Sequence, residues 1–337
     1  MELSRLAAQL ISLASHPGWF LLSLILFLVV RLQRRGWWRP GMCRVDLSGR
    51  TAIVTGANTG IGRCIAQDFA QRNARVILAC RSLERGERAK QEIRHKTGNS
   101  NVHLCLLDTS SMESVRKFTQ QIKEEEKRLD ILVNNAGASG LKPTLNSEGL
   151  ELTAATNHLG PFLLTNLLLD LLKCSQGARI VNVSSMNHRR GKIDFSRMRG
   201  KNLDRTWADM LYNDSKLMNV LFTLELSNQL RHTGVTVNAV HPGVVLTEVL
   251  RNYSLFLRVM FNLIGFFFFK SAEEGAVSTI YCGVSKEMEG ISGKYIDSDC
   301  SLTLPSPTAQ DEALAKKLWD VSEQLTGFDK RPSGELS

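Results

Sequence analysis

A tyrosine and a lysine four positions apart are the first candidates for chemistry in this 337-residue sequence. Apolar residues follow Tyr212-Asn-Asp-Ser-Lys216 at helical spacing, so both side chains would lie on one face of a helix. A phenol with a pKa of about 10 is a poor base at neutral pH unless its anion is favoured, and an ammonium one turn away supplies that bias. The pair is therefore suited to proton transfer, although most chance matches to this spacing are exposed helix residues.

A glycine-rich segment near the start of the body could bind phosphate. It follows a short β-rich segment and opens a helix, so its backbone N–H groups would point towards a pyrophosphate. Its G-x-x-x-G-x-G spacing differs from the G-x-G-x-x-G of the longer Rossmann pattern. The residues that we expect to contact a dinucleotide here are Gly56, Asn58, Thr59, Gly60, Ile61 and Gly62.

Basic residues near this segment indicate which dinucleotide it would bind. The second β-rich segment ends at Arg81, where an NAD-binding fold would have an acidic residue for the ribose hydroxyls. A guanidinium here suits a 2′-phosphate, and Arg63 could supply a second cation, unless both are ordinary solvated arginines. We therefore expect NADP(H). Asp108, at the end of the third strand, would accept from the adenine amino group or cap the next helix.

Three further motifs follow strand-like segments. Asn134-Asn-Ala-Gly137 ends the fourth, Ser184-Ser185 ends the fifth, and Pro242-Gly243 follows the sixth. Ligands bind open α/β sheets at the carboxyl ends of parallel strands, so these motifs would meet at one edge. Together with the glycine segment and the Tyr–Lys pair, in this order, they resemble the short-chain dehydrogenase/reductase family over residues 48 to about 300.

This resemblance implies a role for each matching residue. Ser185, rather than Ser184, would bind the substrate oxygen, and Tyr212 would exchange the proton. Lys216 would lower the pKa of the tyrosine and hold the nicotinamide ribose, while Asn157 would position a water that links the lysine to solvent. The further cofactor contacts would be Asn134, Ala136, Gly137, Val240 or Pro242, Gly243 and Thr247.

Within this family, several segments are similar to the microsomal retinol dehydrogenase branch: GANTGIG, LACRS, RLDILVNNAG, NHLGPFLLT, IVNVSS and HPG. The resemblance implies interconversion of a lipophilic aldehyde or ketone with its alcohol, with a retinal/retinol-type substrate first. A steroid or lipid-ketone reductase shares every motif. A non-catalytic, membrane-anchored lipid-binding protein of the same fold would be expected to have a broken Ser-Tyr-Lys set, whereas all three residues are present. The residues around Tyr212 and at Pro161 depart from the branch, which leaves the substrate open.

Alternating β-rich and helical segments must position these motifs. From Arg50 onward the alternation predicts an α/β fold, a single doubly wound Rossmann-type domain over 48–305 with a parallel sheet of about seven strands. GKYID at 293–297 would be a late edge strand. Ser110–Glu113 and Ser271–Glu274 resemble capping boxes. We expect a substrate loop over 243–271 and, over 306–337, a C-terminal helix and tail.

An apolar segment precedes the domain. Pro17–Val30 is short for a membrane span, which needs about 20 residues, but counting back to Leu6 gives enough length. Four arginines follow the segment, whereas the one that precedes it, Arg5, is balanced by Glu2. This asymmetry favours an uncleaved anchor over a signal peptide and puts the body on the cytosolic side. We predict that residues 1–40 form a membrane anchor and basic flank, with Trp37 and Trp38 at headgroup level, in the endoplasmic reticulum membrane.

Charge and cysteine content agree with this arrangement. The formal net charge is +9, and residues 1–50 hold seven arginines against two acidic residues. Charge concentrated beside one apolar segment favours a membrane flank over a nucleic-acid surface. The seven cysteines form no C-x-x-C pair and no metal-ligand spacing with histidine, so we expect no metal site and a reducing compartment.

The predicted substrate loop is unusually aromatic. It includes Phe266 to Phe269, and such a patch would be costly on a soluble surface. Residues 255–269 would therefore contact lipid near the entrance for a hydrophobic substrate, or pack beneath the last helix of the sheet. The sequence gives no indication of the oligomeric state.

Overall fold

The computed structural model of the chain describes residues 38–245 and 269–328 and, before them, Gly18, Trp19, Leu21, Leu22 and Ile25. Most of the predicted anchor, Thr247 and residues 255–268 of the predicted lipid-contacting loop lie outside the described residues. Among the residues described, no helix combines the length and the apolar composition needed to cross a bilayer.

Eight strands form one sheet, in the order β3-β2-β1-β4-β5-β6-β7-β8. They are β1 Thr51–Thr55, β2 Arg75–Cys80, β3 Val102–Leu106, β4 Ile131–Asn134, β5 Arg179–Val183, β6 Thr236–Val240, β7 Tyr295–Ile296 and β8 Leu302–Thr303. The first seven pair in parallel, while β8 runs antiparallel to β7. Because β1 pairs with both β2 and β4, the strand order reverses there, and open sheets of this kind bind ligands at such a point.

The strand count differs from the prediction by one. The additional strand, β8, has only two residues, which is too short for a periodic pattern to mark it in the sequence. It also makes the predicted edge strand an inner one, because β7 lies between β6 and β8. The central strands β1 and β4 are buried at every position, as expected for a sheet covered on both faces.

Seven long helices cover the two faces of the sheet in the described chain. They are α1 Gly60–Gln71, α2 Leu83–Thr97, α3 Met112–Glu125, α4 Gly160–Leu167, α5 Ala208–Gln229, α6 Ala272–Val284 and α7 Glu312–Thr326. Side chains of α1, α2 and α6 form the core on one face, and those of α3, α4, α5 and α7 form the core on the other. Shorter helical segments are Leu152–Ala154, Leu169–Lys173 and Phe195–Met198.

The two predicted capping boxes have different outcomes. At α6 the Ser271 side chain accepts from the backbone of Glu274, whose side chain accepts from the Ser271 backbone, which confirms the motif. At α3 the N-cap is Ser111, one residue later than predicted. Ser110 instead donates its hydroxyl to Asp108 at 2.7 Å, so the box over Ser110–Glu113 is wrong.

Trp38 belongs to the folded body and not to a headgroup belt. Its side chain is only 6% exposed, and its ring meets Tyr281 of α6 edge-on with 5.3 Å between ring centroids. The carbonyls of Pro40, Cys43 and Val45 all accept from the Arg72 guanidinium, which holds the following segment against the body. The prediction for Trp38 is therefore wrong, because it could not include a contact with a tyrosine far along the chain.

Candidate active site

A cleft of about 1080 Å³ lies at the carboxyl ends of the central strands. Fifteen of the residues predicted to form the site line it: Gly56, Asn58, Thr59, Gly60, Ile61, Gly62, Arg81, Asp108, Ala136, Gly137, Ser185, Tyr212, Lys216, Pro242 and Gly243. Arg63, Asn134 and Asn157 are not among the lining residues. Thr247 lies outside the described residues.

The glycine loop between β1 and α1 is shaped to accept an anion. Gly56 has a φ of +67°, which favours glycine, and a Cβ on Gly62 would lie 2.5 Å from the Gly56 carbonyl oxygen. Thr59, the N-cap of α1, makes no side-chain capping hydrogen bond. The first amides of α1 therefore have no cap from that side chain, and they lie where a dinucleotide pyrophosphate would bind. The residues present fit such a cofactor.

The two arginines predicted to bind a 2′-phosphate are in different situations. Arg63 does not line the cleft and pairs with Glu92 at 2.8 Å. Arg81 lines the cleft, is 64% exposed, and lies 3.7 Å from the Asp108 carboxylate, a loose contact. Arg81 is thus the better placed of the two to meet a phosphate, and Arg85 on the first turn of α2 lines the cleft beside it.

Tyr212 and Lys216 lie one turn apart on α5, as their spacing predicts. The Lys216 Nζ lies 5.5 Å from the centre of the Tyr212 ring and donates to the Val183 carbonyl at 3.0 Å. Burial lowers the pKa of Lys216 to about 8. A Cβ on Gly137 would lie 3.4 Å from Nζ, so the Asn-Asn-Ala-Gly segment approaches the ammonium closely.

The two serines after β5 face different surroundings. Ser184 is buried and donates its hydroxyl to the backbone carbonyl of Lys216 at 2.8 Å, which ties β5 to α5. Ser185 lines the cleft and begins the short 3-10 helix Met186–Arg190. Its Oγ accepts from the Asn187 N–H at 3.2 Å, so its own hydroxyl hydrogen can be directed at a substrate oxygen.

Asn157 lies behind the lysine in a π-helical turn, Ala155–Leu159, a kind of distortion that is frequent at functional sites. Its side-chain oxygen accepts from the Ala138 N–H at 2.8 Å, and its amide donates to the Ala138 carbonyl at 2.9 Å and to Ser215 Oγ at 3.0 Å. Both amide hydrogens are therefore engaged by protein. The turn fixes the strand-end segment and α5 relative to each other.

Asn134 does not face the adenine side of the cleft. It is 3% exposed, and its amide donates to Thr165 Oγ1 and to Asn182 Oδ1 inside the core. The neighbouring Asn135 lines the cleft instead and donates to the Thr55 carbonyl at 2.9 Å. Alternation along the strand end sends one asparagine inwards and the other outwards, and two identical neighbours in a sequence do not reveal which.

Sequence reasoning missed two other residues of this region. Thr55 accepts at its Oγ1 from the amides of Asn135 and Ala136, at 3.0 and 2.9 Å, and so joins the end of β1 to the segment after β4. His241, in the HPG motif, lines the cleft and accepts at Nδ1 from the Met186 N–H at 3.2 Å. The position of Thr55 directly before the glycine segment could have marked it as part of the site in the sequence.

Comparison with known proteins agrees with this geometry. A family model described as short chain dehydrogenase matches residues 50–256. The chain is 45% identical to retinol dehydrogenase 11 of Mus musculus, over 91% of this chain and 96% of that protein. It is 46% identical to retinol dehydrogenase 12 of Homo sapiens, over 87% and 92%. Among solved structures, the Pseudomonas aeruginosa RhlG/NADP active-site complex has a TM-score of 0.60 and 26% identity, over 75% of this chain and 95% of that one.

Proposed function

Because this chain belongs to the short-chain dehydrogenase family and is an oxidoreductase acting on CH–OH groups, we propose that it uses NADP(H) to interconvert a lipophilic aldehyde or ketone and its alcohol. The proposed substrate is of the retinal/retinol type. The main support is the convergence of Ser185, Tyr212 and Lys216 on one cleft with the glycine loop of α1.

The proposed reaction assigns each side chain a task. The bound nicotinamide would supply hydride to the carbonyl carbon. Ser185 and Tyr212 would donate hydrogen bonds to the carbonyl oxygen, and Tyr212 would transfer its proton to the developing alkoxide. The Lys216 ammonium, one helical turn away, would stabilise the resulting phenolate. Oxidation of the alcohol is the reverse.

The lining of the cleft supports a lipophilic substrate. Apolar side chains line the same cleft as Tyr212, and two of them have large exposed fractions, Met186 at 50% and Val244 at 47%. Leu141, Leu152 and Phe269 line the same cleft. Apolar surface left exposed beside a polar reaction centre favours a ligand with an apolar body and one polar end. The names of the two relatives, both retinol dehydrogenases, point to the same class.

A substrate panel tests the proposal. NADPH consumption is measured on the detergent-solubilised chain with retinal, a long-chain aldehyde, a ketosteroid and a small water-soluble carbonyl. We expect turnover of retinal or the long-chain aldehyde. Turnover of the ketosteroid alone would indicate a steroid reductase, and turnover of the small carbonyl alone would contradict a lipophilic substrate.

Removal of one phenolic oxygen tests the assigned proton donor. Tyr212→Phe should lower kcat by about 10²- to 10⁴-fold, the usual contribution of general acid catalysis, while NADPH binding is kept. Tyr281→Phe is the matched control, because Tyr281 lies in the core of the other face and should keep kcat. Unchanged turnover by Tyr212→Phe would refute the assignment.

The proposed preference for NADP(H) depends on Arg81. Loss of a charge-assisted hydrogen bond costs about 1.5–3 kcal/mol, so Arg81→Ala should raise the KM for NADPH about tenfold or more and leave that for NADH nearly unchanged. Arg63→Ala should have a smaller effect, because that guanidinium is held by Glu92. Equal effects on both cofactors would show that Arg81 does not contact the 2′-phosphate.

We also propose that the chain is attached to the endoplasmic reticulum membrane with its catalytic body in the cytosol. The support is the apolar segment before Arg31 and the arginines that follow it. In microsomes, protease added from outside should digest the body, and alkaline carbonate should leave the chain in the pellet. Protection of the body in intact microsomes would reverse the orientation.

A further inference from the structure

The peptide group between Ser185 and Met186 is bound at both ends by imidazole rings. Its carbonyl oxygen accepts from His188 Nδ1 at 2.7 Å, and its N–H donates to His241 Nδ1 at 3.2 Å. The two histidines lie on different elements, one in the 3-10 helix after β5 and the other directly after β6. Rotation of this peptide would break both hydrogen bonds.

The partners of each ring determine its protonation. A carbonyl oxygen only accepts, so His188 must carry a hydrogen on Nδ1, and its Nε2 must accept from the Ser306 N–H at 3.1 Å. An amide N–H only donates, so His241 must have a bare Nδ1. The arrangement thus needs two neutral rings in opposite tautomers.

The surroundings favour neutral rings. His188 is fully buried against Tyr295, with ring centroids 4.8 Å apart. Burial lowers its pKa, the hydrogen bond to the Ser185 carbonyl and Asp297 oppose this shift, and Arg189 adds to it. Burial lowers the pKa of His241 to about 4; Asp297 opposes the shift and Lys270 adds to it. Both rings therefore stay neutral at physiological pH.

We propose that His188 is a positioning residue for Ser185: together with His241 it fixes the Ser185–Met186 peptide and so the direction in which the Ser185 hydroxyl points. This rests on the proposed function, in which Ser185 binds the substrate oxygen. A hydroxyl held in one direction needs no reorganisation when the carbonyl oxygen becomes negative, whereas a misplacement of about 1 Å can cost about 100-fold in rate. Through Ser306, the same ring connects the serine to the segment before α7.

Two substitutions of His188 distinguish a role in positioning Ser185 from a role in filling the core. In His188→Asn the side-chain amide can take the place of Nδ1–H, whereas in His188→Gln the side chain reaches the position of Nε2 and loses the donor to Ser185. We expect His188→Asn to keep kcat within about threefold of the wild type. His188→Gln should lower kcat about 10- to 100-fold with little change in the KM for NADPH. Equal losses in both variants, or a larger loss in His188→Asn, would overturn the proposal.

A measurement on the unmodified chain tests the geometry if either variant fails to fold. The ¹⁵N spectrum of histidine-labelled, full-length protein reports which ring nitrogen holds the hydrogen. We expect Nδ1 to be protonated in His188 and bare in His241. The same tautomer in both rings would overturn the arrangement. If the wild type turns over none of the carbonyls, the proposed function fails, and this spectrum still decides whether the peptide is held as described.

Discussion

At the scale of the residue, a few side chains of ordinary type gain unusual properties from their surroundings. Lys216 has no carboxylate partner among the described residues; its ammonium is buried and donates to a backbone carbonyl. A buried cation without a counter-ion is costly, and its cost is expressed as a lowered pKa. At neutral pH the Lys216 side chain therefore carries the positive charge that favours a neighbouring phenolate, and at mildly alkaline pH it loses its proton.

This lowered pKa predicts a pH dependence of the reaction. Below a pH of about 8 Lys216 is charged and supports Tyr212, and above it the ammonium becomes neutral, so kcat/KM should fall with a limb near that value. Lys216→Arg keeps a positive charge at all accessible pH values and should lose this limb, at a lower absolute rate. The measurement is kcat/KM from pH 6 to pH 10 for both proteins. An identical limb near pH 8 in Lys216→Arg would assign it to another group.

At the scale of the element, the site is made by ends of strands and starts of helices. The glycine loop links β1 to α1, and Asn135, after β4, donates to the Thr55 carbonyl at the end of β1. A side chain on Gly62 would meet both the Gly56 carbonyl and the Asn135 amide. The cradle for the cofactor is therefore a contact between three segments, with no room for a methyl group.

Gly62→Ala should open this cradle. An added Cβ 2.5 Å from two fixed groups must displace them, which costs about 1–3 kcal/mol and lowers Tm by roughly 2–12 °C. The KM for NADPH should rise more than the KM for the carbonyl, because the displaced groups lie on the cofactor side. Gly41→Ala is the control, since no heavy atom lies within 4 Å of its added Cβ. Wild-type cofactor affinity in Gly62→Ala would show that the loop relaxes freely.

Sequence patterns predicted the strand ends well and the contacts between distant segments poorly. The glycine segment, Tyr212 and Lys216 line one cleft, because local periodicity locates the strand ends and the helix face, and the carboxyl ends of parallel strands meet at one edge. Asn134 was misassigned because a single step along a strand end reverses the direction of the side chain. The hydrogen bonds of His188 could not be predicted from the sequence, because its partner Ser306 lies more than a hundred residues away along the chain.

At the scale of the whole molecule, the C-terminal helix is part of the core on the face that holds α5. The Trp319 ring of α7 lies 4.8 Å from that of Phe162 and 5.9 Å from that of Phe222. Three residues along α7, the Ser322 hydroxyl meets His158 Nε2 at 2.9 Å, within the π-helical turn that contains Asn157. Helix α7 thus supports the π-helical turn whose Asn157 bonds to Ala138 and Ser215.

This packing predicts that α7 is needed for the stability of the entire domain. Trp319 is 6% exposed, and truncation of a buried tryptophan to alanine costs about 3–5 kcal/mol, so Trp319→Ala should lower Tm by roughly 6–20 °C in a single cooperative transition. Lys316→Ala, on the exposed side of the same helix, should melt with the wild type. Thermal unfolding followed by circular dichroism in detergent measures both. A wild-type melting temperature for Trp319→Ala would mean that the helix docks without contributing to the core. A single transition at the lowered temperature would show that the sheet, the cleft and the C-terminal helix unfold as one unit.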